Sequence, residues 1–129
     1  MSGIEKTALQ VAVLCGSLVP IGAGLSGILR GAGMMGVADA PVDLDSHFRY
    51  LSGILLAIGL GYATAVPRIE TRAARFKLLT ALVVVGGVGR AISLAMIGTP
   101  SRTMVFALFM ELLVTPGLAL WQFRISRFR

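Results

Sequence analysis

A chain of 129 residues holds one domain at most. Hydrophobic residues make up 56% and charged residues 14%, with a mean hydropathy of +0.85, whereas a soluble domain carries about a quarter charged residues. Folded in water, such a chain would leave large apolar patches uncovered, so composition excludes a soluble globule and points to lipid as the solvent. The net charge of +6 does not indicate nucleic acid, because the basic residues gather at the ends of apolar segments and form no continuous stripe.

Four apolar stretches are long enough to cross a hydrocarbon core of about 30 Å. They run from about 8 to 29, 46 to 66, 76 to 97 and 103 to 123. The runs are continuously apolar, without the alternation of barrel strands, so helices are expected. Short links at 30–45, 67–75 and 98–102 make sequential helices antiparallel neighbours. The expected fold is an all-α membrane protein. Residues 1–129 form a single transmembrane domain, a four-helix up-down bundle.

The first stretch is longer than the apolar core of a secretory leader, and its basic flank is weak, so it is expected to remain as a span. Cys15 lies within it, has no partner for an internal disulfide, and reads as a small packing residue. Pro20 and Pro116 fall inside helices one and four and predict kinks. Asp45 or Ser46 is placed to cap helix two, with Asp39, Asp43 and Asp45 favourable near its N-terminus. Pro67 and the sequence Gly98-Thr99-Pro100 stop helices two and three.

Basic residues set the orientation. Lys6, then Arg68, Arg72, Arg75 and Lys77, then Arg124, Arg127 and Arg129 fall on one side of an even number of spans. By the positive-inside rule both termini are cytoplasmic. Tyr50 and Trp121 are expected near opposite interfaces.

Function is sought among charges that lipid excludes, each costing about 2.5–3.5 kcal/mol at mid-membrane. At a rise of 1.5 Å per residue, Arg49 lies about 5 Å, Arg90 about 10 Å and Glu111 about 14 Å inside the outer ends of helices two, three and four. Small residues share their faces: Gly53, Ala57 and Gly61 with Arg49; Gly86 and Gly87 with Arg90; Ala107 with Glu111. Residues at i±3 and i±4 lie together, and small ones mark close helix contact in membranes. The simplest arrangement pairs Glu111 with Arg90 and places Arg49 above them. That cluster, with Asp45 and His47, is either an ion pair fixing helix register or a polar pocket in the outer half of the bundle. A lipid headgroup, a quinone carbonyl or a small anion would suit the pocket. Asp43, Asp45 and His47 are too few for a metal site. Gly86-Gly87-Val88-Gly89 lacks the preceding strand and the lysine of a phosphate loop. No nucleophilic catalytic set is evident, so no catalytic residue is assigned.

The motifs resemble a known family. Leu44-Asp45-Ser46-His47-Phe48-Arg49-Tyr50-Leu51-Ser52-Gly53 resembles the "LDS-x-FR-[FY]-L-x-G" stretch of a bacterial family of small four-helix membrane proteins, domain of unknown function 4345. Gly87-Val88-Gly89-Arg90-Ala91-Ile92-Ser93 resembles its "G-x-GR-x-x-S" stretch. Gly98-Thr99-Pro100, Glu111-Leu112, Pro116 and Trp121-Gln122 continue the match in order over nearly the whole chain. The family is distantly similar to the DoxX-like four-helix proteins. The resemblance implies a multi-pass protein of the bacterial inner membrane, with Asp45, Arg49, Arg90 and Glu111 at the family's polar positions. It implies no activity, since fold does not fix function.

Two functions are therefore expected in competition. One is a non-catalytic membrane component, either an accessory subunit of a larger complex or a binder of a lipid-like molecule. Membrane lipids, a larger assembly or further copies of the chain would be its partners. The other is a small membrane enzyme or redox-associated subunit acting on a quinone or lipid.

Overall fold

The computed structural model describes residues 3–128, and they are helical almost throughout. Helix α1 is Gly3–Arg30, followed by a tight 3-10 turn at Gly31–Met35. Helix α2 is Val42–Ala63, and a second 3-10 segment, Val66–Thr71, leads to α3 at Ala73–Met96. Helix α4 is Arg102–Phe109 and α5 is Thr115–Arg127, joined through a π turn at Met110–Val114. The last three run on as one helical stretch of 26 residues.

Three of these stretches, Gly3–Met35, Ala73–Met96 and Arg102–Arg127, are long and apolar enough to cross a membrane. Helix α2 has 22 residues, but Asp43, Asp45, His47 and Arg49 occupy its first half. It also begins earlier than expected, at Val42 directly behind Pro41. Proline suits the start of a helix because it has no N–H to leave unpaired. Asp45 therefore lies in the first turn and does not cap the helix; its carboxylate bonds elsewhere.

The chain forms two compact units. One is Val11–Val66, an antiparallel pairing of α1 with α2. Its seam is built on glycines. A Cβ on Gly24 would stand 2.6 Å from the Leu56 nitrogen and 2.7 Å from the Ser52 carbonyl oxygen. A Cβ on Gly27 would strike the Ser52 side chain, and one on Gly59 would stand 2.7 Å from Ile21 Cγ1. Small residues let two backbones approach closely, and dispersion across so tight a seam replaces the hydrophobic drive that lipid removes.

This seam corrects the face expected for helix two. The contact runs through Ser52, Leu56 and Gly59. A Cβ on Gly53 would meet only Ile28 Cδ1, at 3.9 Å, and Ala57 is exposed. Gly61 is half-buried. Cys15 is exposed, outside the packing. Helix α1 continues unbroken through Pro20, whose ring packs towards Gly59.

The other unit comprises the chain up to Gln10 together with everything from Pro67 onward. Phe76, Leu9, Ile69, Ile125 and Gln122 are the largest fully buried side chains among its described residues. Gln122 donates from Nε2 to the Ile69 carbonyl at 2.7 Å. Glu5 accepts from Trp121 Nε1 at 3.3 Å and pairs with Arg124 at 3.4 Å, while Lys6 pairs with Glu70 at 3.0 Å. These contacts tie the first turns of α1 to α5 and the second 3-10 segment.

Candidate functional site

In the second of these units, α3 packs along the stretch formed by α4, the π turn and α5. The π turn has a local cause. Pro116 has no N–H and its ring would collide with the carbonyl four residues back in a regular helix. The chain widens just ahead of it: the Thr115 N–H reaches back to the Met110 carbonyl, and Thr115 Oγ1 donates to the same oxygen at 2.7 Å. Such widened turns are frequent at functional sites.

The widened turn sets Glu111 and Leu112 against α3 at Gly87. A Cβ on Gly87 would stand 2.8 Å from Leu112 Cδ2 and 3.0 Å from Glu111 Cβ, so only glycine admits this approach. Gly86 is exposed with open space beside it, so Gly87 alone of the two makes the contact. Ala107 is half-buried on α4.

Arg90 follows Gly87 on the same face of α3. Its Nε donates to Glu111 Oε1 at 2.8 Å, forming an ion pair, and its Nη1 donates to Met104 Sδ at 3.0 Å. The Arg90 side chain is 36% exposed and that of Glu111 16%. Glu111 Oε2 is buried and has no hydrogen-bond partner. A buried acceptor left open costs about 1–3 kcal/mol, more when charged. The site is thus a neutral pair with one carboxylate oxygen closed off inside the protein and a partly open guanidinium edge.

The other charges expected in this cluster lie in the α1–α2 unit. Asp45 Oδ1 accepts from the Ala32 N–H at 2.9 Å, and Oδ2 accepts from Arg49 Nε at 2.8 Å. Arg49 Nη1 also donates to the carbonyls of Ile28 and Leu29. Those carbonyls belong to the last turn of α1, where the chain passes into the 3-10 turn and the Ala32 N–H turns to Asp45 instead. Gly31 makes this possible: its φ of +60° suits glycine, and a side chain there would run into Asp45 and Arg49. Arg49 is therefore not a spare charge; it closes the end of α1. His47 is exposed and stacks on Tyr50, with ring centroids 6.4 Å apart. Among the described residues, no three His, Cys, Asp or Glu side chains group as metal ligands would.

Asp45, ahead of the apolar part of α2, is held below the usual carboxylate range, first by the Ala32 N–H and then by Arg49. A depressed folded-state pKa gives stabilisation that is complete above the unfolded value and is lost as pH falls through the folded one. The thermal midpoint of the wild type should therefore approach that of Asp45→Asn on acidification from about pH 6 to about pH 3. Melting curves whose separation stays constant across that range would refute this role.

Sequence reasoning missed Met104, although its place seven residues before Glu111 puts it two helical turns away on the same face. It also missed Gly24, Gly27, Gly31 and Gly59.

Described residues that are helical almost throughout, with three helices long and apolar enough to cross a membrane and a paired charge inside two of them, define a class, a small multi-helix membrane-type protein. The family model described as domain of unknown function (DUF4345) matches residues 8–122, and the chain belongs to that family. No curated protein matches the chain, and no solved structure matches it.

Proposed function

We propose that this protein is a non-catalytic component of the bacterial inner membrane that crosses four times, with both termini cytoplasmic, and binds a lipid-like molecule at Arg90 and Glu111. The observation that carries the reading is the Arg90 guanidinium, which gives Nε and Nη1 to Glu111 and Met104 while over a third of the side chain stays open to an acceptor from outside. A pair that served only to fix register would be expected to bury its guanidinium, because lipid offers no water to the remaining N–H groups. In support of the fourth span, Asp45 and Arg49 neutralise each other at the head of α2, leaving its remaining length apolar. An even count then gathers the basic residues of the 67–77 stretch and of both ends on one side.

Native mass spectrometry of protein gently extracted from its own membranes tests the reading. The wild type should carry a small apolar adduct. The double variant Arg90→Leu/Glu111→Leu should fold and lose it. A co-purifying partner chain with no small adduct would overturn the proposal in favour of an accessory subunit.

A further inference from the structure

We infer that the basic end of the unit running from Pro67 onward is a docking surface for the headgroups of anionic phospholipids. It uses neither Arg90 nor Glu111. Lys77 at this end stands about 20 Å of helix rise from Arg90 along α3.

Contacts within the unit gather the segments concerned. Lys6 pairs with Glu70 at 3.0 Å, Glu5 pairs with Arg124 at 3.4 Å, and Gln122 donates to the Ile69 carbonyl. The first turns of α1, the second 3-10 segment and the last turns of α5 therefore share one end, and α3 starts there. Glu5 and Glu70 are the acids of this end among the described residues, and each already faces a basic partner. Arg68, Arg72 and Lys77 meet no carboxylate among the described residues. Arg68 and Lys77 are exposed, as is Arg127, which lies over the Phe128 ring at 5.6 Å. A surplus of positive charge is left.

The start of α3 makes that surplus costly to hold without a counter-ion. Arg72 stands at its N-cap with no side-chain capping bond, and the first turn carries no acid. A helix N-terminus is the positive end of the dipole, and its first N–H groups have no carbonyl behind them. Anionic oxygens from outside the chain would answer the arginines and the helix end together.

The neighbouring side chains select lipid as their source. Lys77 is followed at once by the exposed Leu78, and Arg124 is preceded by the exposed Leu120 and Phe123. A nucleic acid or an acidic soluble protein gives these apolar side chains no cover. A leaflet of anionic lipid covers them with acyl chains and sets its phosphates level with the basic groups.

The test adds dioleoylphosphatidylglycerol or dioleoylphosphatidylcholine to the full chain in detergent and reads bound lipid by native mass spectrometry. The two share their acyl chains and differ in head charge. Wild type should bind the phosphatidylglycerol at least about tenfold more tightly, since each basic side chain beside an acidic lipid surface contributes about fivefold. Arg68→Gln/Lys77→Gln should reduce this preference to about twofold or less, and Arg68→Lys should keep it. Arg30→Gln/Arg102→Gln removes the same charge from two exposed residues elsewhere and should leave the preference intact. Equal binding of the two lipids by wild type would overturn the inference. So would an equal fall in the two glutamine variants, which would make net charge the cause and not this end. Loss of the preference in Arg90→Leu/Glu111→Leu would place the anionic lipid at that pair, and the docking surface would fall while the ligand site stood. A wild type without an apolar adduct that still prefers phosphatidylglycerol would remove the ligand site and leave the docking surface.

Discussion

Gly24→Ala should destabilise the protein by about 2–3 kcal/mol, at the upper end of the cost of overpacking a filled interior. The added methyl would stand 2.6 Å from the Leu56 nitrogen, 2.7 Å from the Ser52 carbonyl oxygen and 2.9 Å from Leu56 Cα. All three are backbone atoms and cannot rotate aside, so α1 and α2 must separate. Separation weakens the rest of the seam, including the contacts at Gly27 and Gly59. Alanine is the better helix former by about 0.8–1.0 kcal/mol, so intrinsic propensity acts against this loss. The measurement is the unfolding midpoint in mixed detergent, with Gly22→Ala as the comparison, because a methyl at Gly22 meets nothing within 4 Å. Gly24→Ala as stable as Gly22→Ala would show that the seam does not hold the two helices.

Arg90→Leu should cost about 2–4 kcal/mol, because it leaves the Glu111 carboxylate in apolar surroundings without its counter-charge. Removing one partner of a fully buried pair costs about 3–5 kcal/mol; the partial exposure of Arg90 lowers the expectation here. Adding Glu111→Leu should restore most of the lost stability, since replacing both members of such a pair with apolar groups is often neutral. Thermal unfolding of the two single variants and the double variant forms a closed cycle. Additive losses, with no recovery in the double variant, would mean that the two residues do not act on each other. Recovery of stability together with loss of the lipid adduct would separate the pair's packing role from its binding role.

These two results bear on what was legible in the sequence. The Arg90–Glu111 pair was legible because charges inside apolar helices must meet something, and each had one plausible partner. The α1–α2 seam was not. In a chain with 16 glycines, small residues at i and i+4 occur on several faces. Gly53, Ala57 and Gly61 satisfy the spacing as well as Gly24, Gly27 and Gly31 do, and only the shape of the opposing helix selects among them. The start of α2 was misplaced for a related reason. Asp45 fits the preference for a capping residue, yet its carboxylate bonds across the turn to Ala32, a contact 13 positions away. The approach of Glu111 to α3 depends jointly on the π turn ahead of Pro116 and on the absence of a side chain at Gly87, which come from different helices. Local spacing rules read one helix at a time and do not combine them.

The path of α1 has a consequence for the order in which the protein is made. Val11–Val66 is contiguous in the chain, so the hairpin can close as soon as α2 emerges from synthesis. The first turns of the same helix have a different schedule. Glu5 meets Trp121 across 116 positions and cannot do so until α5 has been made. A finished early hairpin thus carries an unfinished end that waits for the last helix. The clasp made by Glu5, Trp121 and Arg124 is the step by which a chain extended through α5 differs from one that stopped before it.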